Sequence, residues 1–220
     1  MRRLFVLRPE PASHRTLERA RALGLEATAI PLFELEAVEW SAPDPSKFDG
    51  ILLTSANAVN MSGGRLETLR RLPVHAVGET TAVAAEVAGF GVASVGRGGV
   101  ESLLDEIEPG TRLIHLCGED RRVPERPKQE ISCIAVYRAR AVDHPRGLEA
   151  LKGHVAMIHS PRAGERLAQL LGGGLRSTVR LAAISQAAAD AAGAGWAEVR
   201  IASTPSDTAL LALARSLCET

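Results

Sequence analysis

Hydroxyls, arginines and a single phenol are the groups in this chain placed to do chemistry. Serine or threonine follows an apolar run at three places: Thr54-Ser55-Ala56-Asn57, Gly78-Glu79-Thr80-Thr81 and Ser160-Pro161-Arg162. Each position ends a predicted strand and opens a predicted helix. A hydroxyl there can cap the helix by accepting a backbone N–H. The same edge of an open parallel sheet is where ligands bind, because helix N-termini point at it. The two roles are compatible, so Ser55, Thr81 and Ser160 are candidates to receive an anionic ligand. Tyr137 is the only tyrosine, and it ends a predicted strand beside Arg138 and Arg140. Its ordinary reading is half-buried packing. Its chemical reading is a neutral acid, since a phenol holds its proton near neutral pH.

Other chemistries lack their signatures. No GxGxxG follows the first strand, where Leu7-Arg8-Pro9-Glu10-Pro11 stands instead, and neither GxxxxGK[ST] nor GxSxG occurs. The six histidines show no HExxH or other ligand spacing, so no metal is expected and no cofactor either. His115 and His159 fall in predicted strands, where a satisfied structural histidine is the default. The three cysteines form no CxxC pair, which favours a reducing cytosol over a disulfide framework or a zinc site. Gly96-Arg97-Gly98-Gly99 reads as a strand-to-helix turn, with an anion cradle as the second reading. Arg121, Arg122, Arg126 and Lys128 read as a solvated basic face.

The elements that must carry these residues alternate along the whole chain. Apolar runs at 4–7, 27–32, 50–54, 74–77, 92–95, 113–117, 133–137, 155–159, 179–184 and 199–202 read as strands. Helix-period segments at 12–23, 80–88 and 165–171 lie between some of them. A capping box with proline at the first helical position, Thr204-Pro205-Ser206-Asp207, opens a final helix. Strands this apolar, alternating with helices, argue for an α/β fold with mainly parallel sheets covered on both faces. Glu34–Lys47, broken by Pro43 and Pro45, and Arg138–Gly147 read as connections.

The chain also repeats itself. Arg3-Leu4-Phe5-Val6-Leu7 matches Arg112-Leu113-Ile114-His115-Leu116 at an offset of 109, and Leu53-Thr54-Ser55 matches Ile158-His159-Ser160 at 105. Ala76-Val77-Gly78 with Ala183-Ile184-Ser185, and Leu103-Leu104 with Leu210-Leu211, both match at 107. One order of elements at a slowly drifting offset indicates two diverged copies, near 1–110 and 111–220.

Composition fits such a protein. The 220 residues are 45% hydrophobic and 24% charged, which is ordinary globular material. Lys+Arg and Asp+Glu stand at 26 each, so no global basic field invites nucleic acid. No stretch approaches the length of a membrane span, and the four apolar residues before Arg8 are too few for a secretory signal core. A cytoplasmic protein is expected, and a monomer, since no apolar helix stripe stands out.

Read together, several segments resemble the uroporphyrinogen-III synthase family over nearly the whole chain. They are Leu7–Pro11, Ala22–Glu26, Ile30-Pro31-Leu32, Phe48–Val59, Ala76–Ala82, Val136-Tyr137-Arg138, His159-Ser160-Pro161 and Ser203–Ser206. The resemblance implies two flavodoxin-like lobes, interleaved and joined by a two-stranded linker. Residues 1–34 with 143–220 would form the first lobe and 35–142 the second, with hinge strands near 34–47 and 138–147. It implies a linear tetrapyrrole substrate, hydroxymethylbilane, cyclised without cofactor or metal and with inversion of ring D. A transient contact with hydroxymethylbilane synthase, which supplies that substrate, is the partner implied. Tyr137 matches the family tyrosine proposed to help the hydroxyl leave. Ser55, Thr81 and Ser160 become donors to substrate carboxylates, with Arg8, Arg138 and Arg162 as cations. One departure stands out: many relatives carry Gly-x-x-Thr where this chain has Ser185-Gln186-Ala187-Ala188, so Ser185 or Gln186 has to substitute, or the contact is absent. Two rivals are a non-catalytic, two-lobed protein that binds a small anionic ligand, and a nucleotide-dependent α/β enzyme, which the missing phosphate loops disfavour.

Overall fold

The structure is a computed structural model that describes residues 1–121 and 124–219. Its strands are β1 (Leu4–Val6), β2 (Ala27–Ala29), β3 (Phe33–Ala37), β4 (Gly50–Leu53), β5 (Val74–Val77), β6 (Val92–Gly96), β7 (Arg112–Gly118), β8 (Glu130–Ala141), β9 (Val155–Ile158), β10 (Arg180–Ala183) and β11 (Glu198–Ile201). The helices are α1 (Ala12–Ala22), α2 (Ala56–Ser62), α3 (Glu79–Val87), α4 (Val100–Asp105), α5 (Pro161–Leu170), α6 (Gly173–Arg176), α7 (Gln186–Ala192) and α8 (Asp207–Glu219). Arg122, a member of the basic cluster, lies outside the described residues.

The chain divides into two compact units. Unit one is Met1–Glu34 with Arg140–Thr220, and unit two is Leu35–Ala139. The chain crosses from one to the other inside β3 and returns inside β8. These stretches were read from their residues as connections, but their first parts are strand. Phe33-Glu34-Leu35-Glu36-Ala37 and Tyr137-Arg138-Ala139-Arg140-Ala141 alternate with opposite charges. Arg138 donates to Glu36 at 3.1 Å and Arg140 to Glu34 at 3.1 Å, and the Val38 N–H donates to the Val136 carbonyl. Pairings that step in opposite senses make this an antiparallel ribbon, and cross-strand charge pairs set its register.

Unit one holds a parallel sheet in the order β11-β10-β9-β1-β2. Numbered within the unit, this is the 2-1-3-4-5 order of flavodoxin-like folds. β1, β9 and the Leu181–Ala183 stretch of β10 are buried on both faces, as parallel strands covered by helices must be. α1 and α8 close one face over Leu4, Val6, Val155, Met157 and Ala182. α5 and α7 pack closely against each other. Gly164 permits this approach: a Cβ there would lie 2.6 Å from the Ala188 carbonyl oxygen and 3.0 Å from the Ala192 nitrogen.

Unit two holds the order β3-β8-β7-β4-β5-β6, parallel from β8 to β6. Here β8, β7, β4, β5 and β6 stand as β2, β1, β9, β10 and β11 stand in unit one. The sequence repeat is therefore a structural repeat with exchanged parts. β1 and β2, from the first copy, complete the sheet that the second copy's β9, β10 and β11 begin. A core of Ile51, Leu53, Val74, Ala76, Ile114 and Leu116 meets α2 and α3. Leu52 and Leu113 meet Leu103, Leu104 and Ile107, from α4 and the turn after it.

Two smaller differences from the sequence reading have physical causes. α8 starts at Asp207, and the Ser206 hydroxyl caps it by accepting the Ala209 N–H at 3.2 Å. Pro205 thus precedes the helix, because Ser206 carries both the capping oxygen and the first helical carbonyl acceptor, to Leu210 N–H. On α3, Val83 and Val87 are exposed one turn apart, a two-residue apolar pair. Among the described residues no helix is long and apolar enough to cross a membrane.

Gly164→Ala tests the α5–α7 contact. The added methyl must push backbone rather than a flexible side chain, so a loss of about 1–3 kcal/mol is expected in urea unfolding. An unchanged midpoint would show that the two helices can separate freely.

Candidate functional site

In unit one the chain leaves β1 for α1 and the neighbouring β9 for α5. α1 joins α8 over one core while α5 joins α7, so adjacent strands send their chains apart. Such a switch point leaves a crevice beyond the carboxyl ends of the strands. Arg8 follows β1 there, and His159 and Ser160 follow β9.

Asp207, the first residue of α8, gathers this edge. Its carboxylate accepts from Arg8 at 3.2 Å, Arg19 at 3.0 Å, Thr16 at 3.1 Å and His159 Nε2 at 3.0 Å. Burial works to raise the Asp207 pKa, but the His159 hydrogen bond and the Arg8 charge outweigh it and hold the carboxyl well below its usual range. Burial lowers the His159 pKa, with the Asp207 hydrogen bond opposing, so the ring is neutral near pH 7 and its Nε2–H is the donor. Nδ1 is then the acceptor nitrogen, buried and without a partner among the described residues. The expected satisfied histidine is thus satisfied at one nitrogen only.

Ser160 caps α5, its Oγ accepting the Ala163 N–H at 3.2 Å. Ser185 caps α7 in the same way from Ala188 N–H at 3.3 Å. Gln186 instead donates to Asp190 at 2.7 Å, and Ala188 is buried against Gly164. Ser185 is thus a helix cap like Ser160, while the Gln186 side chain is turned to Asp190. Arg162, exposed on the first turn of α5, sits over the Phe33 ring with its guanidinium carbon 4.7 Å from the centroid.

In unit two the corresponding strands are β7 and β4. Ser55 caps α2, accepting the Asn57 N–H at 3.2 Å. Thr54, one residue earlier, bonds through Oγ1 to His115 Nε2 at 3.0 Å. Burial, and secondarily the Arg121 charge, lower the His115 pKa to about 4, so this ring is a neutral fixture of the strand end. Tyr137 on β8 pairs with Gly118 at the end of β7, and the Glu119 N–H donates to the Tyr137 carbonyl at 2.9 Å. A Cβ built on Gly118 would lie 2.9 Å from Tyr137 Cζ and 3.2 Å from its Oη. The phenol therefore lies against the carboxyl end of β7, next to the strand that leads to Ser55.

Not every sequence candidate joins these edges. Thr81 is buried on the first turn of α3, one strand further out, behind a Gly78 cap whose φ of +82° only glycine adopts easily. Arg138 faces Glu36, and Arg8 spends one N–H on Asp207. The sequence pattern marks neither Asp207 nor Gly118 as a site residue, and it gives His159 only a structural role. The available signals were a histidine directly before a strand-end serine, and a glycine at the end of an apolar strand. Among the described residues no three His, Cys, Asp or Glu side chains converge to hold a metal. Burial pushes the Cys117 and Cys218 thiols up to about 11, so neither is an activated nucleophile.

These shifts dictate a pH dependence. His115 has a pKa near 6.5 when unfolded and about 4 when folded, so between these values the unfolded chain binds more protons. Stability is present above that window and is lost as pH falls through it. Asp207, also depressed, extends the loss below its ordinary 3.8. Urea midpoints are expected to fall on acidification from about pH 6.5, and His115→Gln should flatten the slope down to about pH 4. A wild-type midpoint constant from neutrality to pH 5 would contradict the burial of neutral histidine.

The family profile described as uroporphyrinogen-III synthase HemD matches residues 14–212. Uroporphyrinogen-III synthetase from Helicobacter pylori superposes with a TM-score of 0.70 at 19% identity, covering 99% of this chain and 100% of that one. A mutant uroporphyrinogen III synthase from Thermus thermophilus gives 0.54 at 20% identity, again covering 99% and 100%. No curated protein sequence matches significantly. At these identities the structural likenesses speak for a shared fold.

Proposed function

The chain belongs to the uroporphyrinogen-III synthase family, cyclising lyases of tetrapyrrole biosynthesis, and we propose how its own residues serve that reaction. The observation that carries the proposal is the Tyr137 phenol lying across the end of β7, beside the strand that leads to Ser55. The substrate, hydroxymethylbilane, bears acetate and propionate on every ring and loses its terminal hydroxyl. Tyr137 Oη gives its proton as that C–O bond breaks, so water departs and an azafulvenium cation remains. Ring D attacks it through its substituted carbon. The resulting spiro intermediate fragments and recloses with ring D inverted, and the phenolate regains a proton as the last pyrrole becomes aromatic.

Donors to the carboxylates come from the helix caps. The Ser55 and Ser160 oxygens accept from their own helices, which leaves each O–H free to donate. Ser185 offers a third such hydroxyl. Thr81, the remaining hydroxyl candidate, is buried on the first turn of α3 and stands apart from these caps. Arg8, Arg138 and Arg162 add positive charge, each keeping its partner. Charge-assisted bonds of this kind contribute about 1.5–3 kcal/mol each. Holding the flexible chain so that the disfavoured carbon attacks is an orientation effect. A cytoplasmic monomer that takes its unstable substrate from hydroxymethylbilane synthase is the setting proposed.

Two measurements test this. Fresh hydroxymethylbilane, purified protein and a chelator, with no cofactor, should yield the type III isomer after oxidation. Type I alone, the spontaneous product, would refute the assignment. Tyr137→Phe should slow turnover by about 10²-fold or less, since orientation survives, with little change in stability or substrate binding. Wild-type turnover would return Tyr137 to packing.

A further inference from the structure

A glycine inside a strand weakens it, so its presence points to a backbone conformation or a close approach that nothing else permits. Gly118 ends β7 after Cys117 and is not among the glycines with positive φ. Its backbone therefore makes no demand that alanine could not meet. What the position does demand is space. A Cβ would lie 2.9 Å from Tyr137 Cζ, 3.0 Å from Cε2 and 3.2 Å from Oη, all on the hydroxyl-bearing end of the ring. Elsewhere close glycines serve packing, as with Gly96 against Leu103 and Gly164 against the α7 backbone.

The ladder is adjusted at the same spot. Cys117 pairs with Ala135, but a register shift then sets Gly118 opposite Tyr137 rather than Val136. The Glu119 N–H fastens the Tyr137 carbonyl one residue further on. A skipped residue, a backbone tie and a missing side chain thus act on one ring. We propose that Gly118 is the positioning residue for Tyr137, its bare Cα setting where the phenol presents its proton. The inference rests on the catalytic reading of Tyr137 given above.

The test is a cycle of variants with two independent readouts. In conversion of hydroxymethylbilane to the type III isomer, Gly118→Ala should lower kcat by about 10- to 100-fold with KM little changed. In a Tyr137→Phe background the same change should cost nothing further, because the proton it misplaces is gone. The second readout needs no activity: whatever Tm Gly118→Ala loses should be regained when Tyr137→Ala removes the ring. Wild-type kcat in Gly118→Ala beside a slow Tyr137→Phe would overturn the proposal. So would equal kcat losses in both backgrounds, or a Tm loss that persists without the ring. If Tyr137→Phe itself turns over normally, the catalytic reading fails, and the Tm cycle still decides whether Gly118 seats the ring.

Discussion

Adjacent parallel strands whose chains depart toward different helices cannot roof the space above their own ends, and the candidate site depends on that constraint. In unit one the pair is β1 and β9, paired residue for residue from Leu4 with Val155 to Val6 with Met157. In unit two the equivalent pair is β7 and β4, with Leu113 opposite Gly50 through Leu116 opposite Leu53; β4 leads into α2, while among the described residues β7 leads through a loop to β8 with no helix between. The apolar character of these strands buries them, and burial in register fixes where the residue after each strand stands. Arg8, His159 and Ser160 in one unit, and Thr54, Ser55 and Gly118 in the other, occupy their positions for this reason.

The two edges are finished by different physics. Unit one uses charge: Asp207 draws in donors from α1, the end of β1 and the end of β9, and a carboxylate with this many donors remains ionised despite partial burial. Unit two uses neutral groups, a depressed His115 holding Thr54 and a phenol resting on glycine. The other edge gathers Arg8 and Arg19 around one carboxylate.

Strand positions were readable because each is a compact apolar run, and the duplication was readable because β1 and β7 repeat nearly residue for residue. Ser55 and Ser160 were readable as helix caps because a serine between a strand and a helix has few roles. The ribbon of β3 and β8 was harder, since its alternation of charged and small residues resembles a loop until Glu34 and Glu36 are matched with Arg140 and Arg138. The Asp207 cluster was not legible. Its members come from positions 8, 16, 19, 159 and 207, and no local pattern joins residues that only the sheet order brings together. Gly118 matters through one ring that lies against it, a fact of side-chain placement rather than of spacing.

Exchange of parts between the copies also bears on synthesis of the chain. Leu35–Ala139 is continuous, and its strands β4 to β8 all lie within reach of one another before the later residues are made. β1 and β2 emerge first and pair with each other, but the far edge of β1 has no partner until β9 is translated, so that apolar edge waits through most of elongation. Closing so long a loop is entropically costly, and each doubling of length adds about 0.6 kcal/mol. A middle segment that folds first removes much of that cost. Its ribbon seats Arg140 against Glu34, and the loop left for β9 to close onto β1 becomes short.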